Sequence, residues 1–215
     1  MIRYIFFDFD GTLVHSNNLK REGFFYLGKI TSVSNVVISQ IIAHGGDRHD
    51  IIKRISSYSG VPYIELLALY DRFLMKGFES VEKRSGADNL FALAVKMDIG
   101  LFILSATPQC YIEGVVRKFF PDVDFVAVVG GMDKGLFIKS FLIRDGVNSM
   151  DVLMVGDGQD DYEAARFAGC QFVGIEGGTW RFEKELGYPK LNGLSPINSL
   201  ICKENNYEDR SFYKV

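Results

Sequence analysis

Four short apolar runs, each stopped by a polar residue or a glycine, constrain this chain more than any other feature of its sequence. The run over residues 4–9 ends at Asp8, Asp10 and Gly11, that over 100–104 at Ser105, that over 152–155 at Gly156-Asp157, and that over 171–175 at Glu176-Gly177-Gly178. A weaker run over 125–129 ends at Gly130-Gly131. Short runs without polar alternation are the pattern of strands buried on both faces. Helical periodicity fills the intervals at 88–97, 111–119, 134–145 and 160–168. Strands alternating with helices of about ten residues predict parallel βαβ units in a doubly wound α/β sheet. Ligands of such sheets bind at the carboxyl ends of the strands, which is where the polar stops stand.

Residues 16–82 break this rhythm. Apolar positions recur there at helical spacing (Phe24, Leu27 and Ile30; Ile51, Ile52 and Ile55; Leu66, Tyr70, Phe73 and Leu74), with no convincing strand. The pattern predicts an all-helical insert after the first strand, with the core formed by 1–15 and 83–215. Polar crossings at Asn17-Asn18 and Arg84-Ser85-Gly86 are expected to act as hinges. Beyond Trp180, itself read as a packing residue at the core edge, Gly187, Pro189, Gly193 and Pro196 argue for irregular structure.

Composition excludes several functions. With 215 residues, 47% apolar and 24% charged, the chain has the makings of a sizeable core. Its 24 Lys+Arg against 27 Asp+Glu leave a net charge of -3, and no basic cluster is present, so nucleic acid is not an expected partner. The longest membrane-span candidate, 90–104, is broken by Lys96 and Asp98, and the amino-terminal apolar stretch meets Asp8 too early for a signal peptide. Cys110, Cys170 and Cys202 are odd in number and lack disulfide or zinc spacing, so they read as small core residues of a cytoplasmic protein.

Asp8-Phe9-Asp10-Gly11-Thr12-Leu13 and Gly156-Asp157-Gly158-Gln159-Asp160-Asp161 each follow an apolar strand directly. Either alone reads equally well as turn chemistry. Together, on neighbouring strand ends, they would bring at least three carboxylates to one place. Two such charges ~4 Å apart repel by about 4 kcal/mol at an effective dielectric of ~20, so a compensating cation is implied. Oxygen donors without His or Cys favour Mg²⁺.

These two stretches resemble the first and fourth motifs of the haloacid dehalogenase superfamily of phosphohydrolases. Ser105, within Leu104-Ser105-Ala106-Thr107-Pro108, resembles the second motif, and Lys134, opening a predicted helix, is the best match to the third. The resemblance covers 1–16 and about 86–178. It implies a Rossmann-like core with a mobile helical cap. It also implies Asp8 as nucleophile, forming an aspartyl-phosphate, and Asp10 as general acid and base. Asp8, Asp157 and the Asp10 backbone carbonyl would ligate Mg²⁺, and Asp161 would orient the ion's waters or Lys134 from behind. Ser105 and Lys134 would bind the phosphoryl oxygens, helped by backbone amides of Gly11, Thr12 and Ala106.

Bland roles compete at several positions. Ser105 would equally suit a helix cap after Pro108, and Lys134 a surface position; Lys139 is a second, weaker candidate for the third motif. Asp160 reads as a helix-start carboxylate and His15 as structural. Gly45-Gly46-Asp47-Arg48-His49-Asp50 is similar to a cap loop of the same family, with Asp47 where Ser is usual. Arg48, with His49 beside it, would then clamp an anionic group of the substrate; the competing role is a polar interhelical turn. The expected function is Mg²⁺-dependent hydrolysis of a small phosphorylated metabolite by a monomer. A sugar-phosphate mutase is the alternative, and a non-catalytic binding protein of the same fold a third. Asp10 favours phosphoester over dehalogenase or phosphonate chemistry.

Overall fold

A computed structural model describes residues 1–176 and 189–207 of the chain. The chain divides into two compact units, Met1–His15 with Glu82–Val215, and Ser16–Val81. In chain order, β1 (Tyr4–Asp8) of the first unit precedes four helices of the second: α1 (Asn17–Thr31), α2 (Asn35–Ala43), α3 (Arg48–Ser59) and α4 (Tyr63–Phe78). The first unit resumes with α5 (Ala87–Lys96), β2 (Gly100–Ser105), α6 (Gln109–Phe119), β3 (Ala127–Gly130), α7 (Lys134–Asp145), β4 (Val152–Gly156), α8 (Gln159–Ala168) and β5 (Gln171–Ile175). It closes, among the described residues, with β6 (Lys190–Leu191) and α9 (Ser195–Glu204).

The strands form one parallel sheet in the order β3-β2-β1-β4-β5-β6. The runs predict a parallel, doubly wound α/β sheet and the resemblance a Rossmann-like core, and both hold; the order itself is seen only here, with the chain reversing direction across the sheet between β1 and β4. Side chains of β1 alternate between the two faces. The Phe6 ring stacks on Phe102 at 4.2 Å, and Phe141 of α7 meets both edge-on at 5.4 and 4.9 Å. Phe7 points the other way, edge-on to Phe91 of α5 at 5.4 Å. Fully burying each of these rings contributes about 1.5–3 kcal/mol, and together they fix which residue of β1 faces which layer.

Register then sets the site. Asp8 lies level with Leu104, and Phe7 with both Ile103 and Val155, so Asp8, Ser105 and Asp157 emerge within one residue of each other from adjacent strands.

In the helical unit, Phe24 stacks on Tyr70 at 4.8 Å and Tyr26 on Phe73 at 5.0 Å, joining α1 to α4. The Tyr70 hydroxyl donates to the Lys20 carbonyl at 3.1 Å. Leu27, Ile38, Ile52, Ile55 and Leu66 complete the unit's own core.

Several expectations are corrected. Among the described residues of the tail, Pro189 is followed by the edge strand β6, and Pro196 sits in the first turn of α9, where its missing N–H costs no hydrogen bond. Trp180 and Gly187 lie outside the described residues. The weak run over 125–129 contributes a strand only from Ala127, because Phe125 turns to pack on Phe91 and Phe120. The first crossing falls between His15 and Ser16, next to Asn17 and Asn18, which form the first turn of α1. Glu82 sides with the core unit, its carbonyl accepting from His15 N–H at 2.9 Å. Cys110 is not a core residue, since it lies on the exposed face of α6 while Ile112, Val115 and Val116 take the buried one; Cys202 is half-buried, and Cys170, also half-buried, packs against the core. Burial pushes the Cys170 thiol up to about 12. No helix among the described residues is long and apolar enough to cross a membrane.

Candidate active site

Asp8 is the last residue of β1, and the chain beyond it turns at once. Gly11 takes φ 80°, a left-handed conformation that glycine adopts without strain. Its N–H donates to the Val14 carbonyl at 2.8 Å, and the Leu13 and Val14 amides return to Phe9 O at 2.9 and 3.1 Å. That closed loop carries Asp10 to the end of β2. There Asp10 Oδ2 accepts from Thr107 Oγ1 at 2.6 Å and from Ser105 Oγ at 3.1 Å, while Ser105 Oγ accepts from the Thr107 N–H at 3.0 Å.

On the other side of β1, β4 ends at Gly156 and delivers Asp157 into the loop before α8. Asp161, in the first turn of α8, accepts from Gly158 N–H at 3.0 Å. An added Cβ at Gly156 would run into the Asp161 carboxyl group, so glycine there is what lets that side chain lie across the strand end. Lys134, first residue of α7, bridges the two motifs: its Nζ is 2.5 Å from Asp8 Oδ1 and 2.6 Å from Asp161 Oδ1. Carboxylate oxygens of Asp8, Asp157 and Asp161 lie within 4.8 Å of one another. Thr12 Oγ1 reaches Asp157 Oδ1 at 3.4 Å.

Burial intensifies the electrostatics. Ten polar or charged residues are buried among those described, and Asp8, Asp10, Thr12, Ser105, Thr107, Asp157 and Asp161 are seven of them. Burial raises the Asp8 carboxyl to about 7, against the pull of Lys134, with Asp161 and Asp10 adding to the rise. Burial likewise raises Asp161. For Lys134 burial acts downward, but Asp161 and Asp8 outweigh it and hold the ammonium above the usual lysine range. The site therefore holds a fixed cation among crowded carboxylates, which favours binding of a further one.

The donor set fits a hard divalent ion. It is all oxygen, it is compact, and it lacks His and Cys. Asp8, Asp157 and Asp161 are the carboxylates that could hold such an ion, although Asp161 already meets Lys134 with one oxygen and the Gly158 amide with the other.

Of the residues singled out from sequence, Asp8, Asp10, Thr12, Ser105, Lys134, Asp157 and Asp161 are joined by these contacts, and Gly11 forms the turn between them. Ala106 sits between Ser105 and Thr107 and is exposed. Ser105 does not cap α6, which begins after Pro108. Lys139 and Asp160 are exposed on their helices, and His15 is exposed beside the unit boundary.

Arg48 and His49 belong to the helical unit. Asp47 caps α3, accepting from Asp50 N–H at 2.9 Å, which is the task a Ser would perform there. Arg48 Nε lies 3.3 Å from His49 Nε2, and its guanidinium is 3.9 Å from Asp71; His49 Nδ1 is 2.6 Å from the Tyr63 hydroxyl. Burial raises the Asp71 carboxyl, and Arg48 and then His49 oppose that rise.

Two residues given no role in the site from sequence belong to it. Thr107 donates its hydroxyl to Asp10 Oδ2 at 2.6 Å, and a threonine before a proline carries no signature of that role in the sequence. Arg84, read as part of a polar hinge, is buried and its guanidinium donates to the Gly11 carbonyl. Nothing local in the sequence distinguishes it from a solvated arginine.

The model of the family described as haloacid dehalogenase-like hydrolase matches residues 5–175. The phosphoglycolate phosphatase of Photobacterium profundum is 27% identical over 190 residues, 81% of this chain and 83% of that one. Among solved structures, CbbY from Rhodobacter sphaeroides in complex with phosphate is similar with a TM-score of 0.75 and 19% identity, covering 92% of this chain and 96% of that one. A predicted phosphoglycolate phosphatase from Haemophilus somnus 129pt gives 0.76 and 18%, covering 93% and 98%. At these identities the solved structures speak for the fold.

Proposed function

The chain belongs to the haloacid dehalogenase-like hydrolase family, and from that premise we propose that it is a Mg²⁺-dependent phosphatase of a small phosphomonoester, working through an aspartyl-phosphate on Asp8. The observation that carries this reading is Lys134 held between Asp8 and Asp161 at 2.5 and 2.6 Å, one strand away from an Asp10 held by two hydroxyls. Held apart in this way, Asp8 beside the cation suits a nucleophile and Asp10 between two hydroxyls suits a proton carrier. The phosphoglycolate phosphatase relative favours small anionic phosphomonoesters as substrates.

In the first step an Asp8 carboxylate oxygen attacks phosphorus, the bond from phosphorus to the ester oxygen breaks, and Asp10 gives its proton to the departing alkoxide. In the second, water attacks the same phosphorus, the bond to Asp8 breaks, and Asp10 takes the water's proton. The net change is ester plus water to alcohol plus phosphate. Lys134 and the Ser105 hydroxyl face the equatorial oxygens, where charge accumulates, and the Gly11 and Thr12 amides add donors. Asp8, Asp157 and the Asp10 carbonyl would hold Mg²⁺, which when bound neutralises phosphoryl charge and keeps Asp8 ionised. Ser105 and Thr107, both donating to Asp10 Oδ2, fix that carboxyl group's orientation before substrate arrives. The helical unit is the candidate for substrate selection.

A sugar-phosphate mutase would use the same residues but return the phosphoryl group to a sugar hydroxyl. The test is release of orthophosphate from an aryl phosphate and from a panel of sugar phosphates and phosphoglycolate, with Mg²⁺ present. Wild type should release phosphate, and Asp8→Asn should lose roughly 10³-fold or more of kcat. Equal rates for the two proteins would remove Asp8 as nucleophile, and isomerised sugar phosphate without free phosphate would select the mutase.

A further inference from the structure

Arg84 is the only buried basic residue among those described, with 6% of its surface exposed. It lies just after the helical unit in sequence, and its backbone N–H donates to Leu13 O at 2.8 Å. Its guanidinium reaches the catalytic loop instead of solvent: one terminal nitrogen donates to the Gly11 carbonyl, Nε has no hydrogen-bond partner, and its charge acts on Asp157. A guanidinium taken from water with a donor unsatisfied is costly. Asp157 offsets part of that cost, though burial still outweighs it.

We propose that Arg84 is a positioning residue of the phosphate-binding loop, acting through the Gly11–Thr12 peptide. That peptide is planar, so a donor fixing the Gly11 oxygen also fixes the opposed direction of the Thr12 N–H. A charged donor on the oxygen polarises the peptide and strengthens the N–H as a donor in its turn. The same cation sets a second positive charge, after Lys134, beside the carboxylates by way of Asp157, and so limits the repulsion an incoming phosphoryl anion meets. Gly11, which by its left-handed φ of 80° has no side chain to anchor it, is held at its carbonyl from outside the loop.

This inference rests on the phosphatase reading for the identity of the ligand, and its test separates the two. Orthophosphate binding with Mg²⁺ is measured by calorimetry for wild type, Arg84→Lys and Arg84→Met, well below each melting temperature, alongside kcat and KM on an aryl phosphate. Arg84→Met should weaken orthophosphate binding about tenfold and lower kcat about tenfold while KM rises less, since the lost donor strength is felt most as charge develops. Arg84→Lys, which keeps the charge, should recover most of both. A folded Arg84→Met with wild-type affinity and kcat, even if less heat-stable, would show a merely structural arginine and overturn the proposal, as would a lysine variant no better than the methionine one. The Thr12 amide ¹⁵N resonance of the metal-free protein decides independently, and does so even if Arg84→Met does not fold. It should move in Arg84→Lys, and an unmoved resonance overturns the proposal. Wild type that neither binds orthophosphate nor hydrolyses ester would defeat the phosphatase reading, whereas the Thr12 resonance would still judge Arg84.

Discussion

At Asp8 burial and charge act against each other. Burial lifts its carboxyl to about 7 although Lys134 is 2.5 Å away, so the folded protein without metal binds a proton that the unfolded chain releases near ~3.9. The sign follows from linkage. Between about pH 4 and 7 the folded state holds more protons, so the stability Asp8 contributes is fully present below pH 4 and is lost as pH rises through 7. Asp161, also raised, slopes the same way. In EDTA, urea unfolding should show stability falling over this window, less steeply in Asp8→Asn than in wild type. Parallel slopes for the two proteins would refute the burial effect at Asp8. The carboxylates themselves were legible in sequence because each stands where an apolar run stops. Thr107 was not: a threonine before a proline has no signature until its hydroxyl is seen 2.6 Å from Asp10.

Elements place these residues through their register. Because β1 lies between β2 and β4, the loops after all three strands converge, and a one-residue slip of any strand would turn its functional residue to the opposite face. The apolar runs and the helix over 134–145 were readable because burial on both faces and helical periodicity leave strong patterns. The tail was not, since a two-residue edge strand has no periodicity and its prolines mimic loop signals. Gly156 joins element to site. Gly156→Ala would press on the Asp161 carboxyl group and displace it from Lys134, an overpacking cost of about 1–3 kcal/mol. We expect kcat to fall by more than about tenfold while Asp161→Asn lowers it by a similar factor, and the double variant should be little worse than either. Additive losses would mean that the two residues act separately.

For the molecule as a whole, the buried acidic cluster lies in one unit and a separate helical core makes up the other. If the helical unit selects substrate, Arg48→Ala should raise KM several-fold for the best metabolite in a phosphate panel and leave an aryl phosphate nearly unchanged. Equal changes for both substrates would reduce Arg48 to its contacts with His49 and Asp71 inside its own unit. The net charge of -3 gains meaning at this scale. It is not spread evenly, because four of the 27 acidic residues are buried together at the ends of neighbouring strands, with Lys134 between two of them.

The sequence by itself determined the parallel, doubly wound α/β class, the helical stretch that follows the first strand and the acidic residues that follow the apolar runs. Those follow from local facts: period, run length, and the residue at which an apolar run stops. Only the tertiary structure decided that Lys134 rather than Lys139 meets Asp8, that Thr107 orients Asp10, and that Arg84 leaves solvent to hold Gly11. These depend on contacts across 97, 126 or 73 residues of chain. Such contacts are set by strand register and close packing, and no short window of sequence encodes them.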